Sequence, residues 1–109
     1  MTVNPEIAKA MNLPSDQKGV LIEQVQQGSP ADKAGLRGSY KPVTIDGQQV
    51  LVGGDIIVAL NSEPISRIEE LQSFIQKHAP GDEVTLKLLR DRETVEVKVT
   101  LGKRSVYAK

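Results

Sequence analysis

Residues 28–38 read GSPADKAGLRG, and residues 53–61 read GGDIIVALN. These two stretches carry the clearest fold signals in the chain. Ser29 is suited to cap a helix, and Pro30 suits the first helical position, where its missing N–H costs nothing. Gly35 suits the left-handed conformation that commonly follows a helix. The paired glycines before Asp55 predict a tight turn into a buried strand over Ile56 to Leu60.

Two elements are predicted before this region. Asn4 is suited to be an N-cap and Pro5 the first helical residue, so a short helix is expected there, ending by Pro14. Residues 19–25 read GVLIEQV, which predicts a strand. In that strand we expect Val20, Ile22 and Val25 to face a core.

An insertion over residues 39–52 separates the helix that begins at Ser29-Pro30 from the buried strand over Ile56 to Leu60. Two β-prone runs flank Asp46-Gly47, and Asp-Gly suits the type I′ turn of a two-residue hairpin. The insertion is therefore predicted to be a hairpin. Since insertions usually lie at the periphery, we expect it to be exposed to solvent.

A third helix is predicted after the turn at residues 61–64. Ser66 is expected to cap a helix over about residues 67–77, with Glu69 completing a capping box. Pro80-Gly81 ends that helix. Residues 84–89 and 94–101 then alternate with period two, which predicts an antiparallel pair joined at Asp91-Arg92.

Composition limits the classes of function. At 109 residues the chain should be one domain with one modest core. Fourteen basic and fourteen acidic residues cancel, which argues against nucleic acid as a partner. The sequence has no run of roughly 18 apolar residues, so no membrane insertion is expected. It contains no cysteine, which removes disulfides and thiol chemistry.

Catalytic chemistry is not predicted. The sequence has a single histidine, His78, which reads as a residue at a helix end, and its serines lie in capping, turn or helical contexts without a G-x-S-x-G motif. One histidine with scattered acids does not supply a metal site, and no phosphate loop is present. We therefore expect a chain that is not an enzyme by itself and needs no cofactor or metal.

The order of these motifs resembles the PDZ domain of HtrA/Deg-type, trypsin-like serine proteases. Those domains commonly carry G-S-P-A-x-x-A-G-L followed by G-D-x-I-x-x-x-N, and the likeness continues to about residue 102. It implies an α+β, mainly β fold: a small, partly open β-barrel of five to six strands capped by two to three short helices. The PDZ domain is then expected over residues 1–102, and residues 103–109 form a tail or linker.

The resemblance also implies a binding site. PDZ domains bind an extended peptide, usually a C-terminus, as an added strand between a sheet edge and a helix. The helix over residues 67–77 corresponds to the one that lines the groove. The peptide-binding residues implied are Thr2, Val3, Ile68, Gln72, Ile75 and Gln76. Leu71 and Phe74 would point into the core, although Ile68 and Ile75 could equally be ordinary core residues.

The sequence departs from the family at its beginning. In Deg-type domains a short aromatic-aliphatic-Gly-aliphatic segment precedes the residues that match Thr2 to Pro5, and its backbone amides hold the peptide carboxylate. This segment is missing here. We therefore expect either a truncated first strand or a different stretch in its place, including the tail at residues 105–109 of another chain.

Two functions follow from the resemblance. The first is a regulatory, substrate-recruiting module of a serine endopeptidase, whose partners are peptides with hydrophobic C-termini or unfolded segments and the protease domain of the parent chain. The resemblance implies a periplasmic or otherwise extracytoplasmic location for the parent. The alternative is a structural or assembly domain that packs on a protease domain or a neighbouring subunit and binds no free peptide.

Overall fold

A computed structural model describes residues 1–79 and 81–101 of the chain. Three short helices and seven strands lie in these residues. In chain order they are α1 (Pro5–Ala10), β1 (Val20–Leu21), α2 (Pro30–Lys33), β2 (Lys41–Ile45), β3 (Gln48–Val52), β4 (Ile56–Leu60), β5 (Glu63–Pro64), α3 (Ile68–Gln76), β6 (Glu83–Arg90) and β7 (Glu93–Thr100). Pro80 and the predicted tail at residues 103–109 lie outside the described residues.

All strands pair antiparallel, in two sheets. The larger sheet has the order β1-β4-β6-β7 with β5 beside β4, and β2 and β3 form a separate two-stranded sheet. Strand β4 lies at the centre and buries Ile56, Ile57, Ala59 and Leu60, as its apolar sequence predicts. The sheet does not close into a barrel in the described part of the chain, so the mainly β, partly open architecture is confirmed.

Local signals placed the turns correctly. Asp46 and Gly47 join β2 to β3 with φ of 51° and 78°, and Asp91 and Arg92 join β6 to β7 with φ of 51° and 66°. Positive φ at both central residues matches the twist of the flanking strands. Gly35 follows α2 with φ of 84°, in the left-handed conformation that its position predicts.

One predicted strand and one predicted turn were wrong in extent. The strand expected over residues 19–25 has only two paired residues, Val20 and Leu21, although Ile22 and Val25 still pack against a core. The turn expected over residues 61–64 is tighter than predicted. Asn61 and Ser62 both have positive φ, so the chain reverses within these two residues and Glu63–Pro64 pair back onto β4.

The cap predicted for helix α3 was also wrong. Arg67 is the N-cap of α3, not Ser66, and the carboxylate that caps the helix belongs to Glu70, not Glu69. One Glu70 oxygen accepts hydrogen bonds from Ser66 N at 2.9 Å, Ser66 Oγ at 3.0 Å and Arg67 N at 3.0 Å. The pattern of a polar residue followed three positions later by Glu is therefore shifted by one residue.

Buried apolar side chains form two clusters. The first cluster lies between the sheet, α2 and α3, and the second lies between the other face of the sheet, α1 and the β2–β3 hairpin. Val52 is buried in the second cluster, and Val43, Ile45 and Val50 pack against it. The hairpin is thus exposed on its outer face only, because its inner face covers part of the core.

An ion pair between Asp55 and Arg90 links residues 28–38 and 53–61 to the hairpin formed by β6 and β7. Asp55 is 1% exposed and accepts from Arg90 Nε at 2.9 Å and Nη2 at 2.7 Å. Its carboxylate also accepts from Arg37 N at 2.9 Å, and Arg90 donates to the carbonyl of Gly35 at 3.0 Å. Hydrogen bonding to Asp55 raises the pKa of Arg90. The buried carboxylate of Asp55 therefore has a bidentate partner, whereas the side chain of Arg90 remains 20% exposed.

Candidate functional site

Helix α3 is amphipathic, yet its apolar face is not fully covered. Among its nine described residues none is buried. Ile68, Leu71, Phe74 and Ile75 are half-buried, and Gln72 and Gln76 are exposed. A surface helix usually buries its apolar stripe against the core, so the incomplete cover leaves apolar surface of α3 open to a ligand.

The N-terminus of α3 is fixed by hydrogen bonds to a carboxylate. The backbone N–H and the hydroxyl of Ser66 have the largest effects and lower the pKa of Glu70. Desolvation opposes them, and the N–H and the charge of Arg67 add smaller lowering effects. A negative charge here also suits the positive end of the helix dipole. This side of the site is therefore held in place before any ligand arrives.

Residues 1–3 lie as a short extended segment beside β1. Thr2 forms an antiparallel bridge with Val20, Val3 N donates to the carbonyl of Gly19 at 2.9 Å, and Leu21 N donates to that of Met1 at 2.7 Å. In this bridge the bonds come from the residues on either side of Thr2. By the alternation of antiparallel strands, the N–H and C=O of Thr2 itself point away from β1.

Thr2 contacts the start of α3 through its side chain. Its Oγ1 accepts a hydrogen bond from Ile68 N at 3.0 Å, across 66 residues of sequence. The side chain of Val3 is buried in the second cluster instead. Of the two predicted N-terminal contacts, Thr2 thus lies beside the helix, whereas Val3 offers only its backbone to this region.

An open apolar cavity of about 310 Å³ lies between α3 and the sheet. Leu71, Phe74 and Ile75 line it from the helix side. From the other elements it is lined by residues that include Ile22, Ala31 and Leu36. Its exposed lining is entirely apolar, so it suits an apolar side chain and would strongly disfavour a charged one.

Apart from Val3, the predicted site residues fall into three groups in the structure. Thr2 and Ile68 meet at one end of α3, and Ile75 lies at the cavity seven residues further along. Gln72 and Gln76 are exposed on the helix without lining the cavity. Sequence reasoning gave no site role to Ile22, Ala31 or Leu36, although the alternation that placed Ile22 in a core was a usable signal.

His78 ends the α3 region in a structural role. Its ring stacks on Phe74 with centroids 4.2 Å apart, and its Nδ1 lies 2.7 Å from the Phe74 carbonyl oxygen. Because a carbonyl only accepts, Nδ1 carries the proton. Within the described residues no group of three or more His, Cys, Asp or Glu side chains is placed to hold a metal ion.

Comparison with known proteins identifies the family. The sequence profile of the PDZ domain matches residues 6–101, which is most of the chain. The chain belongs to the PDZ domain family. This PDZ chain is 37% identical over 99 residues to the periplasmic pH-dependent serine endoprotease DegQ of Escherichia coli (strain K12), and 33% identical over 100 residues to a probable periplasmic DegP-like serine endoprotease of Hahella chejuensis.

A chloroplast relative has a similar likeness. The PDZ chain is 36% identical over 99 residues to the chloroplastic Protease Do-like 8 of Arabidopsis thaliana. The matches cover 91% or 92% of the PDZ chain but only 18% to 20% of the length of these three relatives. The PDZ chain therefore corresponds to a small part of each of them.

Solved structures share the PDZ fold. An HtrA-type protease, AlgW S227A with a decapeptide, superposes with a TM-score of 0.72 at 20% identity, over 94% of the PDZ chain and 26% of that chain. A protein from Geobacillus thermodenitrificans, GtR34C, gives a TM-score of 0.55 at 26% identity, over 82% and 84% of the two chains. In the described part of the PDZ chain no helix has the length and hydropathy to span a membrane.

Proposed function

We propose that this PDZ chain binds an extended peptide along α3 and takes one of its apolar side chains into the cavity beside Ile75. The supporting observation is the half-open apolar face of α3 above a cavity whose exposed lining is apolar. A helix that served only to cover the core would be expected to bury at least one residue of this stripe.

The backbone geometry supports strand addition. Thr2 directs its N–H and C=O away from β1, and its Oγ1 contacts the start of α3. An added strand would bond to backbone groups of this kind. From Ile68 to Ile75 the helix rises about 10 Å, since each residue adds about 1.5 Å. That length accommodates about three residues of an extended peptide. The proposed ligand-contacting residues remain Thr2, Val3, Ile68, Gln72, Ile75 and Gln76.

The cavity supports a preference for apolar ligands. Burying one Leu- or Ile-sized side chain contributes about 1.5–3 kcal/mol, which is roughly ten- to a hundredfold in affinity. A carboxylate or ammonium group in the same place would lose its hydration without gaining a partner. We therefore propose hydrophobic C-termini or unfolded segments as the ligand class.

The relatives support a role within a larger protein. Those compared are named as proteases, two of them as periplasmic serine endoproteases, and the PDZ chain spans at most 20% of their length. We infer that the PDZ chain is the substrate-recruiting or regulatory domain of an HtrA/Deg-type serine endopeptidase with an extracytoplasmic location. In this proposal catalysis belongs to the protease domain of the parent, and the PDZ chain has no catalytic role of its own.

A matched pair of variants tests the proposal. Ile75→Ser removes an apolar side chain from the cavity, and Ile45→Ser makes the same change at a half-buried position beside the second cluster. We expect Ile75→Ser to weaken binding of a fluorescent peptide with an apolar C-terminus about tenfold, and Ile45→Ser to leave it unchanged. The measurement is fluorescence polarisation, with circular dichroism to show that both variants fold.

Two results would contradict this function. One is an equal loss of affinity in both folded variants, which would place the ligand elsewhere or make the loss a general effect on stability. The other is equal affinity for a peptide whose apolar residues are replaced by Glu, because the cavity would then have no part in recognition.

A further inference from the structure

The two edges of the β2–β3 sheet differ in their protection. Strand β2 contains Lys41 and Pro42 and lies next to α1, whereas β3 reads QQVLV, with neither charge nor proline. Charged residues and proline are the usual means by which proteins keep an edge strand from pairing with another chain. In the described residues β3 pairs with β2 alone, so β3 is the unprotected edge.

The turn of the hairpin determines which backbone groups β3 presents. In a two-residue turn of this type, the flanking residues Ile45 and Gln48 form a hydrogen-bonded pair. Pairs then alternate along the ladder, so Val50 and Val52 point their N–H and C=O towards β2. Gln49 and Leu51 therefore point theirs outward, at the open edge.

The side chains near this edge carry no charge on the outer face. Thr44 and Gln49 form one cross-strand pair there, and Pro42 and Leu51 form the next. Leu51 is 41% exposed, and Tyr40, which precedes β2, is 75% exposed. Exposed apolar groups without charged neighbours on the same face are typical of the centre of a protein interface.

We propose that strand β3 pairs antiparallel with β3 of a second copy of this chain, around a twofold axis at Val50. A strand that pairs with its own copy in this way is self-complementary. Gln49 would face Leu51 of the second copy, and Leu51 would face Gln49 of the second copy. These two pairs would form four backbone hydrogen bonds, and no like charges would meet because β3 has none.

The inner face supports the same register. Val50 is half-buried at the border of the second cluster. On the axis it would stand opposite Val50 of the second copy as a non-hydrogen-bonded pair, where side chains come closest. Pairing would therefore complete its burial. The contact is small for a protein interface, so the dimer should be weak and depend on concentration.

Sedimentation equilibrium from micromolar to millimolar concentration tests this interface. We expect the average mass of the wild-type chain to approach twice the monomer mass at the highest concentrations. Gln49→Pro removes an outward N–H without touching the β2 ladder, and we expect it to remain monomeric throughout. Circular dichroism checks that the variant folds.

A pair of charge variants keeps the test decisive if proline harms folding. Gln49→Lys and Thr44→Lys add the same charge at opposed positions of one face, but only the first places it on the open edge. Gln49→Lys should raise the dimer dissociation constant at least about tenfold, and Thr44→Lys should leave it nearly unchanged. A wild-type chain that stays monomeric, or an equal effect of the two lysines, would overturn the proposal.

Discussion

Helices α1 and α3 are both short and amphipathic, but only one of them is closed against the core. Helix α1 has six residues and buries Ile7 and Ala8, which are 2% and 0% exposed. Helix α3 has nine residues, all in the part of the chain that the structure describes, and none of them is buried. The longer helix thus contributes less to the closed core, although Ile68, Leu71 and Phe74 pack against its border.

The two helices also differ in how they begin. In α1 the neutral amide of Asn4 accepts from Ile7 N at 2.8 Å. In α3 the carboxylate of Glu70 accepts hydrogen bonds from the backbone N–H groups of Ser66 and Arg67. The start of α1 is therefore capped by a neutral group, whereas the start of α3 is hydrogen-bonded to a carboxylate whose pKa is lowered.

The largest expected effect separates the two helices by stability. Ile7→Ala should lower the free energy of unfolding by about 2–4 kcal/mol, because it leaves a cavity in a closed core. Leu71→Ala, on the half-buried face of α3, should cost less than about half of that. Urea denaturation measures both. Equal losses would show that α3 is packed as fully as α1.

A smaller effect is expected from filling the cavity. Ala31→Leu places extra methyl groups into the apolar space below α3, so it should compete with a ligand side chain. We expect peptide affinity to fall about tenfold, or about 1.4 kcal/mol, with the free energy of unfolding unchanged or raised. Calorimetric titration measures the peptide affinity, and thermal denaturation measures the change in stability. Retained affinity would mean that the ligand leaves the cavity empty.

The smallest expected effect depends on pH. Hydrogen bonds from Ser66 and Arg67 lower the pKa of Glu70 below its ordinary value of 4.5. A lowered carboxyl pKa contributes stability above the unfolded value, and this contribution is lost as the pH falls through the folded value. Glu70→Gln should therefore reduce stability near neutral pH and differ less from the wild type in acid.

Asn4→Ala provides the control for this prediction. It removes the neutral cap of α1, and the resulting loss of stability should be the same at neutral and at acidic pH. Thermal denaturation of both variants between pH 3 and 7 is the measurement. A Glu70→Gln deficit that is independent of pH would show that the charge of Glu70 does not matter.

Local chemistry made much of the fold predictable. Asn4-Pro5 and Ser29-Pro30 begin helices, and Asp46-Gly47 turns a hairpin, because the reasons lie within a few residues of each position. The cap of α3 was missed by one residue. Ile68 N is bound by Thr2 Oγ1 from the far end of the chain, and no local pattern reveals such a partner.

Contacts between distant residues could not be read from the sequence. Asp55 stands in the G-D-x-I motif that marked the family, but its pairing with Arg90 joins positions 35 residues apart. The cavity is a similar case, because Ile22 and Ala31 meet Ile75 only in the folded chain. The choice of α3 as the binding helix came from family resemblance, and its site residues remain predictions.

An amide chemical-shift titration with a peptide ending in apolar residues would locate the ligand on the protein. We expect the largest shifts on Thr2 and on Ile68 to Gln76, while the amides of α1 hardly move. Shifts concentrated on α1 or the β2–β3 hairpin, or a folded protein that gives no shifts at all, would contradict a peptide groove beside α3.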